Sequence, residues 1–345
     1  MQNEPDGDGL NHIEPLRKSI LRMTSQNKPV DQSARAPMTI VIPTRNEERN
    51  LPETLRAIEG WAEDVFVLDS FSEDRTCEIA REHGAIVVQH KFLNFSAQKN
   101  WALDNLPFRT EWVFFLDADM RPTPALRQEV VRVLNERPES FDGYFVSMQI
   151  CFMNRWLRHG GVCPNWSLRL FKYHLGRYEE RLVHEHILLK GNAGYLHSDL
   201  LHNDYKDLDR YFERHNVYSS MEAVEVFRFL DGTGGENLQP SFWRRGPERR
   251  RVLKQLAYRY LPCRPLVKFL WMYFVRAGFL DGRAGFRYCL LQTFYEYQVS
   301  LKLMELRSSA SSPLLRHELQ RTMATAPFPG DESLESTKIS PARSE

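Results

Sequence analysis

No apolar run in this chain reaches the roughly 18–20 residues that a helix needs to cross a bilayer. Nor does the chain open on the basic-then-apolar pattern of a secretory leader, so the protein is expected to stay on the side of the membrane where it is made. Cysteine is sparse: Cys77, Cys151, Cys163, Cys263 and Cys289 are scattered, odd in number and never paired as C-x-x-C. That pattern supports neither a zinc knuckle nor a disulfide framework, and it fits reduced thiols in a cytosolic compartment. An excess of one charge is missing too, with 46 Lys and Arg against 45 Asp and Glu, so there is no global nucleic-acid signature. No internal repeat is visible. A length of 345 residues fits roughly two domains, or one large domain with additions.

What charge there is lies unevenly. Between Ser241 and Leu290, twelve Arg or Lys stand against only Glu248 and Asp281. Such asymmetry points to an anionic partner for that segment, either a membrane surface or a polyanion. Residues 1–37 are polar, and residues 309–345 are rich in Ser and Pro. Both are expected to be disordered segments.

Between these ends the pattern is regular. Met38–Ile42 is β-rich, Pro43 is expected to end it, and Thr44–Glu48 reads as a polar loop. Leu51–Ile58 reads as a helix with Pro52 in its first turn. Val65–Leu68 is a second strand ending at Asp69, and Ser70–Thr76 is a turn feeding a helix closed by Gly84. Ala85–Val88 is a third strand, Ser96–Leu106 a helix and Trp112–Leu116 a fourth strand. This alternation predicts an α/β fold with a largely parallel, doubly wound sheet. After Phe141 the pattern loosens, with strands expected at Tyr144–Ile150 and Ser167–Phe171 and a helix from Asp207 to Phe227. Asp231–Glu236 reads as a flexible joint.

The fourth strand runs into Asp117-Ala118-Asp119. Two carboxylates one residue apart repel, so keeping both ionised calls for a cation or strong hydrogen bonding. A hard divalent ion bound to a diphosphate meets that need, and ligands of open α/β sheets sit beyond the carboxyl ends of strands. An ordinary acidic turn would carry the same letters.

Val41-Ile-Pro-Thr-Arg-Asn-Glu-Glu48, Val67-Leu-Asp-Ser-Phe-Ser-Glu-Asp-Arg-Thr76 and Phe115-Leu-Asp-Ala-Asp119 occur in order. Together they resemble the nucleotide-sugar half of the family 2 (GT-A) glycosyltransferases. The resemblance covers roughly Met38 to Phe227. It implies a GT-A domain, Rossmann-like with a mostly parallel sheet, over residues 38–228. A linker over 229–247 and a basic amphipathic helical segment over 248–308 would follow. Trp166–Phe171, Val183-His-Glu185 and Leu201-His202 resemble a narrower branch that contains glucosyltransferases of the bacterial lipopolysaccharide inner core.

The resemblance implies roles for particular residues. Pro43, Arg45, Glu47, Asp69, Lys99 and Asp117 would surround the nucleotide sugar, with Glu47 near the ribose and Asp69 near the base. Asp119 would ligate Mg²⁺ or Mn²⁺ directly, and His202 would add an imidazole to the metal or diphosphate, which suits Mn²⁺ better. An inverting transfer needs one base on the face of the sugar opposite the diphosphate. Glu185 is that candidate, with Glu179 and Glu180 as neighbouring rivals. Other readings stay open residue by residue. Asp74 is as well explained as a helix N-cap, Arg45 and Lys99 as surface cations, Trp166 as core and His202 as a structural hydrogen-bonder. His184, His186 and His197 are weaker claimants, and Asn100 accompanies Lys99. Trp166 and Arg169 could shape an acceptor pocket.

Arg244, Arg245 and Arg249–Arg251 precede the aromatic run Leu266–Val275, which Arg276, Arg283 and Arg287 follow. Phe279–Gly285 reads as a turn into a second amphipathic helix ending near Leu303. This composition suits a helix lying in the interface of an anionic membrane; a helical subdomain packed on the catalytic core is the alternative. The expected activity is transfer of a hexose, glucose from UDP-glucose, to a lipid-linked saccharide such as lipopolysaccharide core. It would take place at the cytoplasmic face of the inner membrane, with no nucleic acid as partner. A polyprenyl-phosphate or other glycan acceptor, and a metal-dependent nucleotidyltransferase, are the competing expectations.

Overall fold

The structure, a computed structural model, describes residues 35–136, 139–182, 185–204, 208–231, 257–258, 261 and 263–308. Short runs of Val, Ile and Phe form the inner strands, buried on both faces as a sheet covered by helices on each side requires, while the edge strand Ile86–Gln89 is partly exposed. β1 (Ala36–Thr44), β2 (Ala62–Asp69), β3 (Ile86–Gln89) and β4 (Trp112–Phe115) are all parallel, in the spatial order β3-β2-β1-β4. α1 (Leu51–Ile58), α2 (Thr76–Glu82) and α3 (Phe95–Asn105) make the crossovers. α1 presents Leu51, Leu55 and Ile58 at helical spacing to the core of one face, where α2 also packs. α3 covers the other face with Ala102, Leu103 and Leu106, so the sheet is doubly wound as expected. The side chain of Asn94 caps α3 by accepting from the Ala97 amide at 2.8 Å.

Pro43 does not end the first strand, contrary to expectation. It lies within β1, opposite Leu68, and Thr44 pairs with Asp69. Pairing with β4 stops at Val41, whose carbonyl accepts from Leu116. The side of Pro43 that lacks an amide therefore faces no ladder partner.

The second half continues the same sheet with a change of direction. β5 (Met120–Pro122) leads into α4 (Pro124–Glu136), a helix the sequence reading did not mark. It buries Leu126, Val130, Val131 and Leu134 beside α1. β6 (Gly143–Phe152), β7 (Arg155–Trp156) and β8 (Asn165–Lys172) follow, then the small pair β9 (Gly176–Tyr178) and β10 (Ile187–Leu189), and β11 (Ala193–His202). β8 is antiparallel to both β4 and β6, and β11 is parallel to β6. Two reversals restore the original direction. The carboxyl ends of β1, β2, β4, β6 and β11 therefore share one edge of the sheet. β5 pairs antiparallel with β11, setting Met120 opposite His202 and so Asp119 beside it.

α5 (Leu208–Leu230) closes that edge and runs on past residue 228. α6 (Arg264–Leu270) continues as a π-helical turn (Trp271–Val275) and a 3₁₀ turn (Gly278–Asp281) into α7 (Gly282–Ser308). α7 extends beyond Leu303 and packs Val299, Leu303 and Leu306 against Ala223, Val224 and Phe227 of α5. Among the described residues no helix is long and apolar enough to cross a membrane. The basic residues Arg244, Arg245 and Arg249–Arg251, and most of the joint at 231–236, lie outside the described residues, as do nearly all of the two terminal segments.

Candidate active site

The loop after β1 and the turn after β2 are knitted into one unit. Asp69 is fully buried at the end of β2. Its Oδ1 accepts from Thr44 Oγ1 at 3.2 Å and from Ser72 Oγ; its Oδ2 accepts from the Ser72 amide at 2.9 Å and Gln89 Nε2 at 3.1 Å. Burial opposes the charge, but the hydrogen bonds from Ser72 and Gln89 outweigh it and hold the carboxyl below its usual range. Asp74 is not the N-cap of α2, contrary to one expectation: that position belongs to Arg75, one residue on. Asp74 accepts from the amide and hydroxyl of Thr76 at the start of α2, and from the Glu48 amide at 3.1 Å. Glu47 donates its amide to Thr76 Oγ1 at 2.7 Å, and its carboxylate accepts from Asn50 Nδ2 at 2.9 Å. Asn50 Nδ2 also reaches Asp204 at 2.9 Å, and Asp204 pairs with Arg214 of α5 at 2.8 Å. Arg45 is half-buried near Glu73, Asp69 and Arg210, and burial lowers its guanidinium from its usual value.

Beyond β4 the two aspartates point to different partners. Asp119 Oδ2 lies 3.1 Å from His202 Nε2. Burial works against a charge on His202, and Asp119 outweighs it, raising the imidazole above its ordinary value. Asp117 Oδ2 accepts from Arg169 Nη1 at 2.9 Å. Burial would raise Asp117, yet Arg169 and Lys99 dominate and bring it down to about 2, so it stays ionised at any working pH.

Glu185 forms the third corner. Its Oε1 accepts from Lys99 Nζ at 2.8 Å, and each side chain is only 10% exposed. Lys99 also lies 5.0 Å from the centre of the Tyr178 ring. Burial disfavours the ammonium, but Glu185, Tyr178 and Asp117 together push its pKa up. Lys99 is therefore no surface cation. It is the buried partner of Glu185, within electrostatic reach of Asp117. Asn100 holds this arrangement by a reciprocal amide pair with the Tyr178 backbone, both bonds 2.9 Å.

The remaining claimants sort by contact. Glu179 is buried and accepts from the backbone and ring of His186, whereas Glu180 is exposed. His197 is exposed, and its amide bonds to Glu129. His184 lies outside the described residues. Trp166 is not core: it is 39% exposed and meets Tyr195 edge-on. Arg169 serves Asp117 directly. Sequence reasoning passed over Tyr178, Arg214 and Asp204. Tyr218 lies within the helix expected from Asp207 to Phe227, where it was given no role. Burial raises the Tyr218 phenol; Arg214 opposes this, and Asp119, Glu185 and Asp117, all within electrostatic reach, add to it.

Residues 39–202 match the model of the glycosyl transferase family 2. An uncharacterized glycosyltransferase of Rickettsia bellii is 20% identical over 299 residues, covering 84% of this chain and 93% of the relative. Among solved structures, mannosyltransferase PcManGT from Pyrobaculum calidifontis, in complex with GDP-Man and Mn²⁺, aligns with a TM-score of 0.43 at 16% identity, covering 85% of this chain and 95% of that one. Glucosyl-3-phosphoglycerate synthase from Mycobacterium tuberculosis, in complex with Mn²⁺, UDP and glucosyl-3-phosphoglycerate, aligns with a TM-score of 0.38 at 15% identity, over 69% and 89% of the two chains.

Proposed function

We propose that this transferase, whose residues 39–202 form a glycosyl transferase family 2 domain of GT-A fold, moves a hexose from a nucleoside diphosphate sugar to an acceptor hydroxyl with inversion. One observation carries the reading. The Asp117/Asp119 pair, Glu185 and His202, from three separate stretches of the sequence, come to one sheet edge with Lys99 and Arg169. Glu185 takes the proton of the acceptor hydroxyl, the hydroxyl oxygen bonds to the anomeric carbon, and the bond from that carbon to the diphosphate oxygen breaks. The nucleoside diphosphate leaves with the electron pair.

Asp119 and His202 are the residues that would hold a divalent ion, Mg²⁺ or Mn²⁺. Among the described residues no group of three or more carboxylates, imidazoles and thiols forms a ready-made cage. The pair fits an ion whose remaining ligands come from the diphosphate. When bound, such an ion would supply positive charge to the leaving group, and Arg169 holds Asp117, two residues before Asp119. The β1 and β2 loops, through Pro43, Arg45, Glu47 and Asp69, form the nucleoside side. There Asp69 acts by fixing the loop that carries Glu47.

The donor is UDP-glucose and the acceptor a lipid-linked saccharide such as lipopolysaccharide core, met at the cytoplasmic face of the inner membrane. Support for this finer reading is the motif set Trp166–Phe171 with Glu185 and His202. Incubating the purified chain with Mn²⁺ and a panel of nucleotide sugars tests it. UDP release with UDP-glucose is the expected result, and release of pyrophosphate would instead mark a nucleotidyltransferase. Asp119→Ala should abolish both turnover and metal-dependent UDP binding. Glu185→Gln should keep UDP binding and lose transfer, and a fully active Glu185→Gln would remove the base from that position.

A further inference from the structure

α7 is apolar on two sides. One side is buried on α5 through Val299, Leu303 and Leu306. On the other, Phe286, Leu290, Phe294, Tyr297, Leu301 and Met304 are all exposed. At 100° per residue these six fall within an arc of about 80°, so they form one stripe along the helix. The stripe continues around the helix start: Phe286 meets Phe269 and Tyr273 edge-on, with ring centres 6.0 and 5.6 Å apart. Beyond Tyr273 the π-helical turn exposes Trp271, Phe274 and Val275. A contiguous apolar face of this size marks an interaction site rather than ordinary surface.

Up to Met304 its charges are of one sign, and Glu305, the next residue, is exposed. Arg276, Arg283 and Arg287 are exposed at its margin. The only acidic residues from Arg264 to Met304 are Asp281 and Glu296, and both are buried. Asp281 accepts from the amides of Arg158 and His159 at 3.0 and 2.8 Å, and Glu296 from Arg264 and Lys268 at 3.0 and 2.9 Å. Both carboxylates are consumed inside the fold, so the face outside is left cationic and apolar. All three arginines sit at the Trp271 end of the face and the exposed Glu305 lies at the far end of α7, so an antiparallel second copy is the competing occupant, which a measurement of mass separates.

We propose that this face, from the Trp271 turn along the outer stripe of α7, docks flat on an anionic lipid surface. The aromatic side chains enter the headgroup boundary and the three arginines pair with lipid phosphates. The inference deepens the reading that the acceptor is lipid-linked, and it places a surface, not a span, at the membrane.

Co-sedimentation of the full chain with vesicles of phosphatidylcholine alone, or with a third phosphatidylglycerol, tests it without any turnover. Binding should require the anionic lipid and weaken with added salt. Replacing Arg276, Arg283 and Arg287 by Ser should weaken it by on the order of fivefold per residue, roughly a hundredfold together. Phe286→Ser with Phe294→Ser and Leu301→Ser should abolish it at physiological salt. UDP release in the absence of vesicles should stay unchanged in both variants, which keeps failure of docking separate from failure of the proposed reaction. Equal binding to neutral vesicles, or no binding, would overturn the proposal. So would a concentration-dependent doubling of mass that the apolar triple variant removes, or anion binding that survives that variant.

Discussion

Asp69 holds a charge at the dry end of β2 because four donors converge on its two oxygens. A carboxyl whose folded pKa lies below its unfolded value stabilises the fold above the unfolded value of about 4 and loses that contribution as pH falls through the folded one. Asp69→Asn should therefore destabilise the protein by about 1–3 kcal/mol at pH 7. The difference from wild type should narrow on titration towards pH 3, as followed by denaturant unfolding. A constant difference across that range would deny Asp69 its charge. Lys99 makes the second residue-scale case. The resemblance implied a place beside the donor; in the structure its ammonium holds Glu185 at 2.8 Å. Lys99→Met should lower kcat by up to about a hundredfold through misplacement of Glu185, with UDP affinity in Mn²⁺ nearly unchanged. Lys99→Arg should restore part of the rate. Weakened UDP binding with normal kcat would return Lys99 to the donor.

At the scale of elements, the C-terminal helices are joined by close backbone approaches that only glycine permits. A Cβ at Gly285 would lie 2.2 Å from the Gly278 carbonyl oxygen, and one at Gly278 would lie 2.8 Å from the Met272 carbonyl oxygen. Gly278, Asp281 and Gly285 thus fold the chain back between the π-helical turn and α7, while Asp281 pins the loop at Arg158 and His159. Gly285→Ala should cost about 1–3 kcal/mol despite the gain in helix propensity, seen as a melting temperature several degrees lower. A neutral or higher melting temperature would show that the turn can open. The first strands and helices were legible because their apolar spacing is local: Leu51, Leu55 and Ile58 announce α1. α4 carries the same signal at Leu126, Val130 and Leu134, which the sequence reading missed. β9 and β10 have no such signal, being three residues each.

For the whole molecule, α7 has two duties that composition alone could not separate. Its inner side covers Ala223, Val224 and Phe227 of α5, and its outer side is free of these. Removing residues 264–345 should therefore cost the core roughly 1.5–3 kcal/mol for Phe227 alone. It should lower the thermal midpoint of the remaining chain, so substitutions on the outer stripe, and not truncation, isolate the docking face. A truncated chain that melts like the whole would contradict this packing. The sequence by itself determined the parallel first half of the sheet and the carboxylates at its strand ends, since both are written in local periodicity and turn chemistry. Only the tertiary structure decided what those carboxylates face. The antiparallel insertion of β8 returns β6 and β11 to the direction of β4 and so delivers His202 to Asp119. The loop before β10, held against α3 and α5, sets Glu185 on Lys99. These pairings join residues more than eighty positions apart, and their partners are chosen by packing and charge in the folded chain.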